Sequence, residues 1–264
     1  MKFTYLIGTF TVTSALLLAG CNAKETTVEK EATTVQTNKV EKEKNVELTK
    51  EEKIAELPSP YNEIGKHFAE WELPKEGILP KDDPQWNETE PFDGKDPHDA
   101  FVYYENGYGF DKKTGYMFTA AYEMDEEGQG EPPEPSPDQR EGIIMAIVDE
   151  WVYDGDYVME GSPMYYEDEN GKQIEENGKK VPNPDFIANL KLDIEDGGKM
   201  DDLLKIRSYA EKDKLKPLED WANETINYFA NASETNDNEE CWNLYSKGMD
   251  KIEELNNTFK LARE

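Results

Sequence analysis

The chain of 264 residues has few of the side chains that most often carry enzyme chemistry. It contains two histidines, His67 and His98, and two cysteines, Cys21 and Cys241. Two isolated histidines fall short of the three or four ligands, at motif spacing, that a zinc site requires. The sequence also has no GxSxG segment, no phosphate-binding glycine loop and no evident Ser/His/Asp set. We therefore predict no catalytic residue, no metal ligand and no cofactor.

Positive charge is scarce as well, because 29 Lys and Arg residues face 59 Asp and Glu residues and leave a net charge of −30. Residues 1–53 contain eight lysines and eight glutamates, so the whole excess lies in residues 54–264. Nucleic acid and anionic lipid attract basic surfaces, which excludes nucleic acid as a partner. The acidic surface either attracts a basic protein or peptide or keeps the domain solvated and away from anionic envelopes.

Long apolar runs are also rare, and the longest is residues 3–19 (FTYLIGTFTVTSALLLA), which follows Lys2. A transmembrane helix needs about 20 predominantly apolar residues. This run is shorter and carries five Ser and Thr residues. A charged start, an apolar segment and small residues before a cleavage site are typical of a secretory signal peptide. We predict such a signal at residues 1–20.

The tetrapeptide Leu18-Ala19-Gly20-Cys21 resembles the lipobox of bacterial lipoproteins. This resemblance implies a diacylglyceryl thioether on Cys21, cleavage just before that residue and anchoring on the extracytoplasmic face of the cell membrane. Two acyl chains supply the two signals that stable anchoring needs. The alternative is an incidental cysteine beside an ordinary cleavage site. If Cys21 is lipidated, Cys241 has no cysteine left with which to form an internal disulfide.

Residues 22–53 change in character, since they contain no aromatic residue, no glycine and no proline. Such a segment buries too little apolar surface to offset the entropy of ordering it. We predict a flexible tether over residues 21–53, with a solvated helix in its second half as the alternative, followed by an acidic globular domain over residues 54–264.

The predicted fold class of this domain is α+β and predominantly helical. Apolar residues recur at spacings of four and three along residues 218–232 and 241–262, which predicts an antiparallel helical hairpin. A central helix that starts at Ser136 and runs through Asp154 is expected to pack with it. Further helices are predicted over residues 61–71 and 200–214.

The best β candidate is residues 100–124, where aromatic and β-branched residues flank Asp-Lys-Lys-Thr-Gly, a turn that Gly115 would close in a left-handed conformation. Residues 154–199 are rich in Gly, Pro and Asp and are predicted to form turns, with a small hairpin in YYEDENGKQI. An EF-hand frame on Gly171 fails, because Tyr166 and Asn177 would occupy loop positions that require calcium ligands.

Cys241 lies within the apolar stripe of the last helix and is interpreted as a packing residue rather than a nucleophile. His67 lies beside the apolar face of a short helix, and His98 lies in a loop. The favoured function is therefore a lipid-anchored lipoprotein with a non-catalytic binding domain. The alternatives are a carboxylate-dependent hydrolase acting on envelope or exported material, and a divalent-cation-dependent binding module.

Overall fold

The structure, a computed structural model, describes residues 48–81, 83, 97–120, 123–124, 130–131, 133–154, 163–195 and 198–263. Cys21, the predicted signal peptide and the predicted tether up to residue 47 lie outside this part of the chain. In the described residues, no helix combines the length and the apolar character needed to cross a membrane.

Helices make up most of the described chain, which confirms the predicted α+β, mainly helical class. They are α1 (Lys50–Glu56), α2 (Tyr61–Glu70), α3 (Pro97–Ala100), α4 (Arg140–Asp154), α5 (Pro184–Glu195), α6 (Lys199–Lys212), α7 (Lys216–Glu234) and α8 (Asn238–Arg263). The strands are β1 (Phe101–Tyr103), β2 (Tyr108–Asp111), β3 (Met117–Ala120), β4 (Glu123–Met124), β5 (Gly130–Glu131), β6 (Glu175–Glu176) and β7 (Lys179–Lys180).

The predicted helical hairpin is formed by α7 and α8, and its two apolar stripes face each other. Every residue of the two stripes is buried: Leu218, Ala222, Thr225, Phe229, Ala232, Cys241, Tyr245, Gly248, Ile252, Leu255, Phe259 and Ala262. The Phe229 ring lies against Gly248, while Lys251, further along α8, pairs with Glu224, earlier on α7. The helices therefore run antiparallel, and α8 also contacts α1, α2, α4 and α5.

Helix α4 begins as predicted, with Ser136 and Pro137 leading through a short 3₁₀ helix (Pro137–Gln139) into the α-helix. The Gln139 side chain accepts a hydrogen bond from the Ser136 N–H at 3.0 Å and pairs with the Asn106 amide at 2.7 Å. The predicted apolar face of α4 is buried and consists of Ile143, Ile144, Ile147, Val148 and Trp151. Because α4 packs against α8, α6 and β3, it joins the helices to the sheet.

Strands β1, β2 and β3 form an antiparallel meander, one strand more than the predicted hairpin. The turn between β2 and β3 has the predicted chemistry. The Asp111 carboxylate accepts hydrogen bonds from the backbone N–H groups of Lys113 and Thr114, and Gly115 has a φ of +80°. Phe110, in β2, is fully buried and packs this sheet against the helical core.

The prediction of turns throughout residues 154–199 was wrong, because Pro184–Glu195 forms α5. Asn183 starts this helix by accepting a hydrogen bond from the Asp185 N–H, and proline occupies the first helical position. Three residues at i, i+4 and i+8, namely Phe186, Leu190 and Ile194, are buried against α6, α7 and α8. That helical spacing is visible in the sequence, but the Gly, Pro and Asp residues on either side of it favour the prediction of turns.

One boundary also differs from the prediction. Helix α1 includes Lys50 to Lys53, which had been assigned to the tether, because Thr49 and Glu52 form a capping box and Ile54 is buried. The predicted hairpin around Gly171 is present as a bridge between Glu167 and Gln173, and a second hairpin, β6–β7, follows it.

Gly248→Ala tests the contact between α7 and α8. A Cβ at this position would lie 2.7 Å from the Phe229 ring, which is itself fully buried. Alanine favours helices over glycine by about 1 kcal/mol, whereas overpacking costs about 1–3 kcal/mol, so we expect a net loss of about 1 kcal/mol. Urea unfolding of the variant, with Lys247→Ala as the exposed control on the same helix, measures this change. An increase in stability would show that the two helices can separate at little cost.

Candidate functional site

A groove of about 530 Å³ lies where β3 and the β2–β3 turn meet α4 and the end of α8. Its lining residues are Phe101, Asp111, Lys113, Thr114, Tyr116, Met117, Phe118, Asp149, Lys260 and Arg263. The volume falls within the ~300–1,000 Å³ of typical small-molecule sites. The lining combines apolar and aromatic walls with a few charged groups, which is also typical of such sites.

The aromatic wall of the groove is formed by Phe101 and Phe118, whose rings stack with centroids 4.1 Å apart. Phe118 remains 43% exposed, although large apolar side chains are usually buried. A Cβ at Gly109, on the neighbouring strand, would lie 2.6 Å from the Phe118 ring. The ring therefore lies close to the Gly109 backbone and stacks on Phe101, and it contributes to the lining of the groove.

Arg263 also lines the groove and joins three parts of the chain. Its guanidinium donates to the carbonyl of Thr114 at 2.8 Å, of Trp71 at 2.7 Å and of Phe68 at 3.2 Å. The last two carbonyls belong to the carboxyl end of α2, where helix carbonyls lack partners within the helix. The guanidinium also lies 5.1 Å from the centre of the Trp71 ring, within cation–π range.

The two carboxylates of the groove are engaged within the protein. Asp111 accepts hydrogen bonds from the Lys113 N–H, the Thr114 N–H and the Thr114 hydroxyl at 2.7–3.0 Å. Asp149 pairs with the Lys260 ammonium at 3.1 Å and accepts from the Asn256 amide at 3.2 Å. Neither carboxylate is therefore arranged as a free general acid or base.

The cationic groups of the groove are less fully paired. Within the described residues, neither Arg263 nor the Lys113 ammonium forms an ion pair with a carboxylate. Burial lowers the pKa of Arg263 below its ordinary value, because the charged guanidinium is partly withdrawn from water. Burial, together with the nearby Asp149 carboxylate, raises the pKa of Tyr116, so its phenol stays neutral at physiological pH. The groove can thus supply aromatic contact, a neutral phenol and positive charge.

Cys241 lies away from the groove, in the contact between α7 and α8. Its side chain is fully buried, and its thiol lies 3.4 Å from the Ala232 carbonyl. Burial raises the pKa of this thiol, which is the opposite of the change that activates a nucleophilic cysteine. These contacts agree with the interpretation of Cys241 as a packing residue.

The two histidines occupy different places in the fold. His67 Nε2 lies 3.2 Å from a carboxylate oxygen of Glu141, whose side chain is only 8% exposed. His67 therefore has a specific partner on α4, which the sequence analysis did not anticipate. His98 lies in α3 and its ring contacts the Tyr103 ring edge to face, with centroids 5.2 Å apart.

The carboxylate nearest the rejected EF-hand frame has local partners. Asp168, near Gly171, accepts from the backbone N–H groups of Asn170 and Lys172, and these bonds lower its pKa. Across the described ranges, no group of three or more His, Cys, Asp or Glu side chains is placed to hold a metal ion.

The groove itself was not predicted from the sequence. Asp111 and Thr114 were recognised as turn residues, and Phe118 was recognised as part of a strand. Arg263 and Lys260 gave only the signal of cations in the last turn of a helix, which ordinarily complement the helix dipole. The contact of Arg263 with the turn joins positions that are 149 apart in sequence.

No family model matches the chain, and comparisons with curated proteins and with solved structures also give no match.

Arg263→Met is expected to lower the free energy of unfolding by about 2–4 kcal/mol, because three carbonyl groups lose a charged donor. Lys260→Met is the matched control on the same helical turn. It removes a partly exposed ion pair and is expected to cost less than about 1 kcal/mol. Urea unfolding of both variants gives the comparison. Equal losses would contradict the special position of Arg263.

Proposed function

We propose that the protein is a lipid-anchored, extracytoplasmic lipoprotein whose folded domain binds a small amphipathic molecule in the groove. The observation that carries the binding function is the groove itself, a hollow of about 530 Å³ lined by two stacked phenylalanines, of which Phe118 is exposed. Aromatic side chains provide a large contact area with little loss of conformational freedom.

The proposed anchor is supported by the sequence at Leu18–Cys21, by the apolar run before it and by the polar composition of residues 22–53. As a random coil, a segment of this length spans about 30 Å on average. The groove would then lie outside the cytoplasmic membrane and face molecules of the envelope or the medium.

A binding role is favoured over the two alternatives by the state of the groove carboxylates. Asp111 stabilises a turn and Asp149 is paired with Lys260, so a hydrolase based on this pair would have to break structural contacts. A cation-binding module would require several oxygen ligands that converge on one point. In the groove, three cationic side chains stand beside two carboxylates, which disfavours a bound divalent cation.

Binding of a basic protein or peptide remains a prediction, which is made from the net charge of −30. Because cationic side chains line the groove, such a partner would have to bind elsewhere on the acidic surface.

Cys21→Ala tests the anchor in the full chain expressed in a bacterial host. When a detergent solution is warmed until it separates into two phases, we expect the wild-type protein in the detergent-rich phase and the variant in the aqueous phase. Cys241→Ala, which alters the buried cysteine, is the control and should partition like the wild type. Identical partitioning of the wild type and Cys21→Ala would exclude lipidation as the anchor.

The groove is tested with the neutral dye N-phenylnaphthylamine, which fluoresces in apolar sites, and the unanchored Cys21→Ala chain. Phe118→Ser should weaken dye binding by roughly fivefold or more, because it removes the stacked wall. Leu192→Ser is the control, since Leu192 is also an exposed apolar residue, 53% accessible, and does not line the groove. Circular dichroism verifies the fold of each variant. Equal dye binding by the two serine variants would show that the groove is not the site.

A further inference from the structure

We infer that the ligand of the groove is a small organic anion, with a flat apolar body that lies against Phe118 and one acidic group that meets Lys113 and Arg263. This inference rests on the proposed binding function of the groove and adds the chemical class of its ligand.

The side chains that line the groove carry more positive than negative charge. Three cationic side chains, Lys113, Lys260 and Arg263, stand against two carboxylates in a domain that carries the entire excess of −30. The groove therefore carries a local excess of positive charge on a domain that is acidic as a whole. Lys and Arg side chains are few in this chain, and three of them line one groove. Their positive charge complements a negatively charged ligand.

The groove also has charged hydrogen-bond donors that can bind an acidic group of the ligand. Arg263 uses Nε and Nη1 for the three carbonyl groups, and Nη2 makes no hydrogen bond within the described residues. Lys113 contributes its backbone N–H to the turn, while its ammonium has no protein partner in the same part of the chain. Both residues line the groove, and hydrogen bonds from charged donors to an anion are stronger than those between neutral groups.

The size of the anion follows from the surrounding charge. A polyanion or an anionic membrane would bring many negative charges against the acidic surface and be repelled. A small ligand presents one charge within the groove, and the Debye length of about 8 Å at physiological ionic strength screens the more distant carboxylates. The same charge distribution therefore selects a small, soluble anion over a large one.

Two dyes that differ by one acidic group test this inference in the unanchored Cys21→Ala chain. Anilinonaphthalene sulfonate has the aromatic skeleton of N-phenylnaphthylamine with an added sulfonate. We expect Lys113→Gln to weaken binding of the sulfonate dye by roughly five- to tenfold and to leave the neutral dye within about twofold of the wild type. Lys179→Gln, on the β7 strand and outside the groove lining, is the charge-matched control and should change neither affinity.

Each outcome supports or overturns a separate statement. If the neutral dye binds in a Phe118-dependent manner but Lys113→Gln leaves the sulfonate dye unchanged, the inferred anion is wrong while the proposed binding function stands. If neither dye responds to Phe118→Ser, the proposed groove function fails. If Lys113→Gln and Lys179→Gln weaken binding of the sulfonate dye equally, the effect comes from the net charge of the protein and the inferred contact with Lys113 is wrong. If phosphatidylglycerol vesicles displace the sulfonate dye, the ligand is a lipid headgroup rather than a soluble anion.

Discussion

Arg263 connects the end of α8 to the end of α2 and to the turn between β2 and β3, and the groove depends on this connection. A planar guanidinium with five N–H donors can serve several carbonyl groups at once, which a lysine ammonium at the same place cannot match geometrically. The carbonyls at the end of a helix carry partial negative charge, so the cation is stabilised without a carboxylate. The Thr114 carbonyl is bound at 2.8 Å, and this bond fixes the turn that carries Lys113 at the edge of the groove.

The same scarcity of cations shapes the rest of the domain. Lys199 is 3% exposed and pairs with Asp193 at 2.6 Å, and Asp193 also accepts a hydrogen bond from the Tyr245 hydroxyl. Arg140 pairs with Asp213 in a similarly enclosed position, although burial still raises the pKa of Asp213. Several of the few cations are thus used inside the structure, where an unpaired carboxylate would be costly. The domain keeps a large net negative charge, whereas the lining of the groove has more cationic side chains than carboxylates.

The parts of the fold that could be predicted are those whose cause is local in sequence. The apolar stripe of α8 specifies its buried face, and Asp111 and Gly115 specify a turn through their own backbone and side chains. Helix α5 was missed because Gly, Pro and Asp around it suggested turns, although Asn183 could be read as a helix cap. The groove could not be predicted in the same way, since Arg263 reaches Phe68 across 195 positions and no local pattern encodes that contact.

Close contacts to two glycines fix Phe118, which lines the groove, and Trp71, which lies beside Arg263. Phe118 packs where a Cβ at Gly109 would lie 2.6 Å from its ring, and Trp71 packs where a Cβ at Gly115 would lie 2.4 Å from its indole. Because these rings rest against backbone, their positions are set by the sheet and the turn rather than by a ligand. A preformed wall reduces the ordering cost of binding. Selectivity between ligands then depends on the side chains that remain adjustable, and Lys113, at the exposed edge of the turn, is the clearest of these.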